Sequence, residues 1–255
     1  PPDGKDGNWL ATGTGVRAIA DTIEIMGRDR LPPATVARLD QLFAAEIVSI
    51  VDDWHARRPW FVQANMPLTN QWVLPTEGLI RACLALDRVR HKVAYESGVT
   101  NLKAHLDAHG TQGAFEEGIG YADFTVTSLL ATARAMARAG DRRAIDHQFL
   151  RRFPVWALHH FQPGGFFINP FDAFAAARGN KSMLQATLAL SALCLNSREA
   201  LWALDHLAGG PADSLVGLLT HILPRLPSRE APKPHAFYTR AMRVNWRSDW
   251  SDRAT

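Results

Sequence analysis

The sequence contains little cysteine, and its two cysteines, Cys83 and Cys194, each lie in an apolar run with helical spacing. Thiols in that setting are typical of packed helices, so no disulfide framework is indicated. No apolar stretch reaches the roughly 20 residues that span a bilayer, and no signal peptide opens the sequence. These absences exclude a disulfide-stapled scaffold, and we expect no membrane partner.

Long runs of one charge sign are also missing, because the basic residues occur as scattered short pairs. The chain has 28 Lys and Arg against 25 Asp and Glu, a net charge of +3. That balance permits an acidic partner but provides no basic tail, and we expect no nucleic-acid partner. The histidines show no spacing typical of metal ligands, so no metal and no other cofactor is expected in this chain.

Helical periodicity fills the chain instead, and it predicts an all-α fold class. The 255 residues, with 47% hydrophobic side chains, are enough to bury a large core. Two predicted helices, Met183–Leu195 and Phe124–Met136, are apolar on nearly every side, which indicates helices wrapped by neighbours. Others, such as Ile145–His160, carry charge on one side. This alternation favours concentric rings of helical hairpins. The predicted helices are Val16–Met26, Thr35–Trp54, Glu77–Tyr95, Asn101–Ala108, Asp123–Ala139, Ile145–His160, Phe171–Ala177, Ser182–Leu195, Glu199–Leu207 and Ser214–Leu223.

The composition changes near the C-terminus. We expect residues 1–223 to form the helical domain and the four prolines within 224–236 to mark an extended linker. Residues 237–255 are aromatic-rich and non-helical in pattern, and Arg243–Trp250 is predicted as the first strand of a β domain. The chain is therefore interpreted as an excised part of a longer protein.

Three segments carry side chains suited to chemistry, and each also fits a plainer structural role. Leu68–Pro75 places two amides and an indole just before a predicted helix, where free N–H groups attract anions. Its plainer role is the start of a helix with a packed Trp. Gly113–Phe124 is a flexible, glycine-rich segment that carries a tyrosine suited to catalysis. Its plainer role is a loop held in place by an aromatic side chain. Gly164–Ala173 is a loop in which Asp172 also fits a helix N-cap.

Taken together, these segments resemble the heparinase II/III family of polysaccharide lyases and, more loosely, the related oligoalginate lyases. The shared features are Asn70-Gln71-Trp72, Gly113–Tyr121, Asn169-Pro170-Phe171-Asp172 and Trp246-Arg247-Ser248-Asp249-Trp250. Phe171 departs from this pattern, since the family prefers Gly there. The resemblance implies an incomplete (α/α) toroid of helical hairpins, followed by the start of a C-terminal β-sandwich.

The resemblance also implies β-elimination on a uronic-acid-containing acidic glycan. A lyase removes the proton on C5 and expels the glycosidic oxygen at C4, so the neighbouring carboxylate must be neutralised in the transition state. Asn70 is expected to neutralise it, and Tyr121 to act as acid and, for one substrate epimer, also as base. The expected substrate-binding residues are Gln71, Trp72, Glu117 and Asn169, with Trp72 stacking on a sugar and Glu117 orienting the loop of Tyr121.

One departure concerns the base. Several relatives pair the asparagine with a histidine, whereas Gln71 and Trp72 do not titrate. The base must then be Tyr121 or come from the β domain, where a structural metal also has a place, and we expect this stretch alone to be nearly inactive. The resemblance places the protein in the periplasm or outside the cell.

Two alternatives remain open from the sequence. One is a six-hairpin-type glycoside hydrolase acting on uronides, and the other is a non-catalytic, glycan-binding helical scaffold. Glu116 and Glu117 suggest the paired carboxylates of a glycosidase, but adjacent residues point apart and make a poor acid/base pair. The sequence leaves the glycan and the oligomeric state undetermined.

Overall fold

A computed structural model describes residues 8–163, 166–167, 184–207, 231–251 and 253–254. Over these residues the protein is mostly helical with two short two-stranded sheets, which confirms the helical class predicted from periodicity. The helices are α1 (Trp9–Met26), α2 (Pro33–His55), α3 (Trp60–Gln63), α4 (Asn70–Leu86), α5 (Lys92–His109), α6 (Ile119–Arg138), α7 (Gln148–Leu158), α8 (Gln185–Leu195) and α9 (Arg198–His206), with a 3-10 turn at Arg28–Arg30. The predicted helices Phe171–Ala177 and Ser214–Leu223 lie outside the described residues.

The chain divides into two compact units. The N-terminal unit comprises Pro1–Ala108 with Ala135–Asp141, and the C-terminal unit comprises His109–Arg134 with Arg142–Thr255. This division falls within α6, whereas the boundary predicted at residue 223 lies outside the described residues. None of the described helices has the length and apolar character needed to cross a membrane.

Helix α4 is the centre of the N-terminal unit, and α1, α2 and α3 pack against it. Its crossing with α1 is unusually close because glycines face each other there. A Cβ atom on Gly13 would lie 2.2 Å from the carbonyl oxygen of Leu74, and one on Gly78 would lie 2.8 Å from Gly13 Cα. Only residues without a side chain allow the two backbones to approach this far.

The start of α4 differs from the prediction. A helix was predicted over Glu77–Tyr95, but α4 begins at Asn70 and holds a buried Pro75 inside it. The side chain of Thr69 caps it, since its Oγ1 accepts a hydrogen bond from Trp72 N at 3.3 Å. A proline inside a helix removes one N–H donor, and here burial of almost the whole helix offsets that cost.

Helices α7, α8 and α9 pack together in the C-terminal unit. Strands β1 (Phe161–Gln162) and β2 (Phe166–Phe167) form one antiparallel pair, and β3 (Ala236–Tyr238) and β4 (Arg243–Asn245) form a hairpin. The strand predicted over Arg243–Trp250 therefore ends early. It ends because the buried Arg247 side chain turns inward, donating to the carbonyls of Phe161 at 3.0 Å and Ser251 at 2.9 Å.

Candidate functional site

The first candidate segment surrounds the start of α4. Asn70 is the first residue of the helix and is buried, with 6% of its surface exposed. Gln71 is half-buried, and its Oε1 accepts a hydrogen bond from Trp60 Nε1 at 2.9 Å. Trp60 is 45% exposed, so it presents part of its indole to solvent beside the α4 start. Sequence reasoning missed Trp60, although the run Arg57-Arg58-Pro59-Trp60 places an aromatic just after a break in the helices.

Trp72 does not have the role expected of it. Its side chain is only 7% exposed, its ring meets those of Trp54 and Phe61 edge-on, and its Nε1 donates to Asn101 O at 2.9 Å. Because α4 begins at Asn70 and is buried on nearly every side, Trp72 lies in the core. Trp72 is a packing residue, and the expected sugar platform at this position is a wrong prediction.

The second candidate segment leads into α6. Tyr121 lies in the first turn of the helix, which begins at Ile119 rather than at the predicted Asp123, and both Tyr121 and Glu117 are half-buried. Gly113 gives the loop its path: its φ is +80°, and a Cβ there would lie 2.3 Å from the carbonyl carbon of Arg152. The loop is therefore held against the start of α7 by a position that only glycine fits.

The loop before Tyr121 is bound to the β3–β4 hairpin. Arg240 Nε donates to Glu116 Oε1 at 3.1 Å, Thr239 Oγ1 donates to Gln112 Oε1 at 3.0 Å, and Gln112 Nε2 donates to Phe237 O at 3.3 Å. Sequence reasoning missed Arg240 because more than a hundred residues separate it from its partner. These contacts attach the C-terminal segment to the loop that carries Tyr121.

The structure places Asn70 in the N-terminal unit and Tyr121 in the C-terminal unit. Each lies in the first turn of a long helix, where unpaired N–H groups and the helix dipole favour negative charge. Asn169, the remaining predicted binding residue, lies outside the described residues.

Two histidines at the end of α7 fasten the hairpin. His159 Nε2–H donates to Lys233 O at 3.0 Å, so its Nδ1 accepts from Tyr238 OH at 2.7 Å. His160 Nδ1–H donates to Trp156 O at 2.9 Å, and its Nε2 accepts from Arg243 Nη1 at 2.9 Å. Burial lowers the pKa of both rings, that of His160 to about 3. Their lowered pKa values keep these histidines neutral, and their hydrogen bonds give them a structural role.

Two further histidines, His105 and His109, are buried among packed side chains. His105 is fully buried, its Nδ1–H donates to Pro67 O at 2.6 Å, and burial lowers its pKa to about 4. His109 lies between the rings of Phe115 and Phe149, with centroids 4.6 Å and 4.7 Å away. Both rings serve packing. Among the described residues, no group of three or more His, Cys, Asp or Glu is arranged to hold a metal ion.

A cavity of about 410 Å³ lies near the C-terminal end of α4, away from Asn70. Three arginines line it, and carboxylates within the chain already neutralise them. Arg81, which is 4% exposed, pairs with Asp21 and, at 2.9 Å, with Glu24. The other pairs are Arg138 with Glu24 and Arg28 with Asp40. The cavity therefore has an internally balanced charge.

Comparisons with protein-family models, with curated proteins and with solved structures find nothing that matches this chain.

Proposed function

We propose that this protein is a polysaccharide lyase of the heparinase II/III type, which cleaves a uronic-acid-containing glycan by β-elimination on a helical toroid. The observation that carries the proposal is the placement of Asn70 and Tyr121, each in the first turn of a long helix. Elimination develops negative charge on the uronate and on the leaving oxygen, and the first turn of a helix stabilises such charge.

Asn70 is the group proposed to neutralise the uronate. An amide N–H₂ donates hydrogen bonds without a proton of its own to lose, so it stabilises the enolate-like transition state at any working pH. Asn70 is the first residue of the capped helix α4 and is buried, and a hydrogen bond in such low-dielectric surroundings is stronger than one in water. Gln71, half-buried beside it, assists.

Tyr121 is the proposed acid at the leaving oxygen and, for one substrate epimer, also the base. Tyr121 is half-buried, unlike the buried Tyr95 and Tyr238, whose hydroxyls bond to Asp141 and His159. The hairpin bound to the preceding loop through Arg240 and Glu116 supports the view that the C-terminal segment contributes to this site.

The ion pair of Glu116 disfavours a glycosidase mechanism. Its carboxylate is already engaged by the guanidinium of Arg240, with Oε1 and Nε 3.1 Å apart, so it is not held ready for a glycosidic oxygen. The neutral, internally bonded His159 and His160 are unsuited to act as the base. The base is therefore assigned to Tyr121 or to the C-terminal β region.

The test is a panel of polyuronates incubated with the protein expressed from its complete coding sequence. Alginate, heparan sulfate and hyaluronan are followed by the ultraviolet absorbance of an unsaturated uronide. A lyase generates this absorbance as the chains shorten. Shortening with saturated ends would establish a hydrolase instead, and binding without shortening would establish a scaffold.

A further inference from the structure

Trp60 is held as a fixed, half-open aromatic surface. Its N–H is bonded to Gln71, and its ring meets the fully buried Phe61 edge-on, with centroids 5.8 Å apart and an angle of 84° between the ring planes. The hydrogen bond to Gln71 and the contact with Phe61 hold the indole, while 45% of the residue's surface remains exposed. A ring fixed before binding loses little conformational entropy when a ligand covers it.

Arg57 contacts α3, the short helix that begins at Trp60, and has an unusual backbone conformation. Its φ is +51°, a left-handed value that costs energy in a residue other than glycine. Its Nη2 donates to the carbonyls of Val62 and Gln63, at 2.9 Å and 3.0 Å, which are the last residues of α3. These acceptors are neutral, and no carboxylate within the described part of the chain forms an ion pair with the Arg57 guanidinium, whereas the neighbouring Arg58 pairs with Asp53 at 2.6 Å.

We propose that Trp60, Arg57 and Gln71 form a binding edge for an anionic sugar. The apolar face of the sugar ring packs on the exposed indole, the guanidinium of Arg57 pairs with the sugar's anionic group, and Gln71 keeps the indole in position. This edge adjoins Asn70 at the start of α4, so the inference rests on the proposed function and assigns a subsite to it. Trp60, rather than the buried Trp72, then provides the aromatic platform for the sugar ring.

The experiment measures dissociation constants by calorimetric titration with three hexasaccharides. An alginate oligomer carries carboxylates alone, a heparin oligomer adds sulfates, and a maltose oligomer is neutral. The protein is expected to bind the two acidic probes and to prefer them to the neutral one. Stronger binding of heparin than of alginate assigns the anionic group to sulfate, and the reverse assigns it to carboxylate.

Trp60→Ala is expected to weaken binding of the acidic probes about tenfold or more, as is typical of an aromatic anchor. Arg57→Asn keeps a residue that tolerates positive φ, and it should abolish the preference for acidic over neutral probes. The matched control is Trp246→Ala, which removes an indole that is 65% exposed in the C-terminal unit and should leave all three constants unchanged. Thermal melting confirms that each variant is folded.

The inference is overturned if folded Trp60→Ala binds as tightly as the unchanged protein, if Trp246→Ala weakens binding equally, or if neither acidic probe binds. It is separable from the proposed function. Binding that depends on Trp60, together with an absence of unsaturated product from every polyuronate, would uphold the subsite and overturn the lyase.

Discussion

The starts of α4 and α6 carry the two residues singled out for catalysis, yet the structure treats them differently. At α4 the helix is capped by Thr69 and buried at once, so Asn70 and Trp72 are covered and the flanking Trp60 meets solvent. At α6 the loop is held by Gly113, and Tyr121 itself stays half-open. Two segments with similar sequence patterns therefore form different helix starts. That of α4 is covered and rigid, and that of α6 is more accessible.

This difference suggests a division of tasks. A buried, capped amide is suited to holding charge in a fixed geometry, whereas an accessible phenol is suited to exchanging a proton. Substitutions at the two helix starts should therefore have different effects on turnover and on stability.

Replacing the reactive phenol should have the largest effect. Tyr121→Phe is expected to lower kcat by about 10²–10⁴-fold with little change in substrate affinity, because only proton transfer is lost. Steady-state kinetics and calorimetric titration measure the two quantities. Tyr95→Phe is the control: it removes a buried hydroxyl bonded to Asp141, so it should lower the melting temperature and preserve kcat. Retained activity in Tyr121→Phe would remove this residue from the mechanism.

Replacing the charge-holding amide should have a smaller but still large effect. Asn70→Ala is expected to lower kcat about 10²–10³-fold, the usual cost of removing one oxyanion donor. Gln71→Ala, at the next position of the same helix turn, should cost less. The comparison is made on variants with matched melting curves, and an equal loss in both would show that Asn70 has no special role.

The rigidity of the α4 start depends on its crossing with α1. Gly13→Ala would place a Cβ 2.2 Å from Leu74 O, and we expect it to lower the free energy of unfolding by about 3 kcal/mol. Gly15→Ala is the matched control in the same helix. It has no atom within 4 Å of the added Cβ and should raise stability by about 0.5–1 kcal/mol. Urea unfolding measures the free energy of unfolding of both variants. Equal changes in the two would contradict the close crossing of α1 and α4.

Acid should loosen the hairpin attached to the α6 side. The folded pKa values of His159 and His160 lie below the unfolded value of about 6.5, so the unfolded chain binds more protons as the pH falls. Stability is therefore full above pH ~6.5 and declines towards the folded pKa of His160, about 3. We expect a loss on the order of 2 kcal/mol between pH ~6.5 and ~5 for that histidine alone.

Hydrogen exchange of Ala236–Asn245 as a function of pH measures this loss. The control is His160→Gln, which cannot titrate and should flatten the dependence. Protection factors, which are exchange rates corrected for the intrinsic pH dependence of amide exchange, that stay unchanged between neutral and acidic pH would contradict a hairpin fastened by neutral histidines.

The sequence predicted the helical class well because apolar periodicity reports directly on buried helix faces. It misplaced the start of α4 because Pro75 signals a boundary, whereas tertiary burial tolerates it inside the helix. That error made Trp72 look exposed. It also missed Trp60, since a hydrogen bond to Gln71 is not visible in linear spacing.

The environment of the histidines could likewise not be predicted from local sequence. His105 and His109 have charged or polar neighbours along the chain, but burial depends on which helices pack around them. The pairing of Arg240 with Glu116 likewise joins segments remote in sequence. Local pattern therefore located the candidate segments, and only packing determined which of their side chains meet solvent.

The most direct test of the central claim is cleavage of a polyuronate in ¹⁸O-labelled water. β-Elimination breaks the C4–O bond without consuming water, so the account predicts fragments that contain no more label than products incubated without the protein. Mass spectrometry of the early products measures this. New reducing ends labelled well beyond that control would show that water attacks the glycosidic carbon, and hydrolysis would replace elimination.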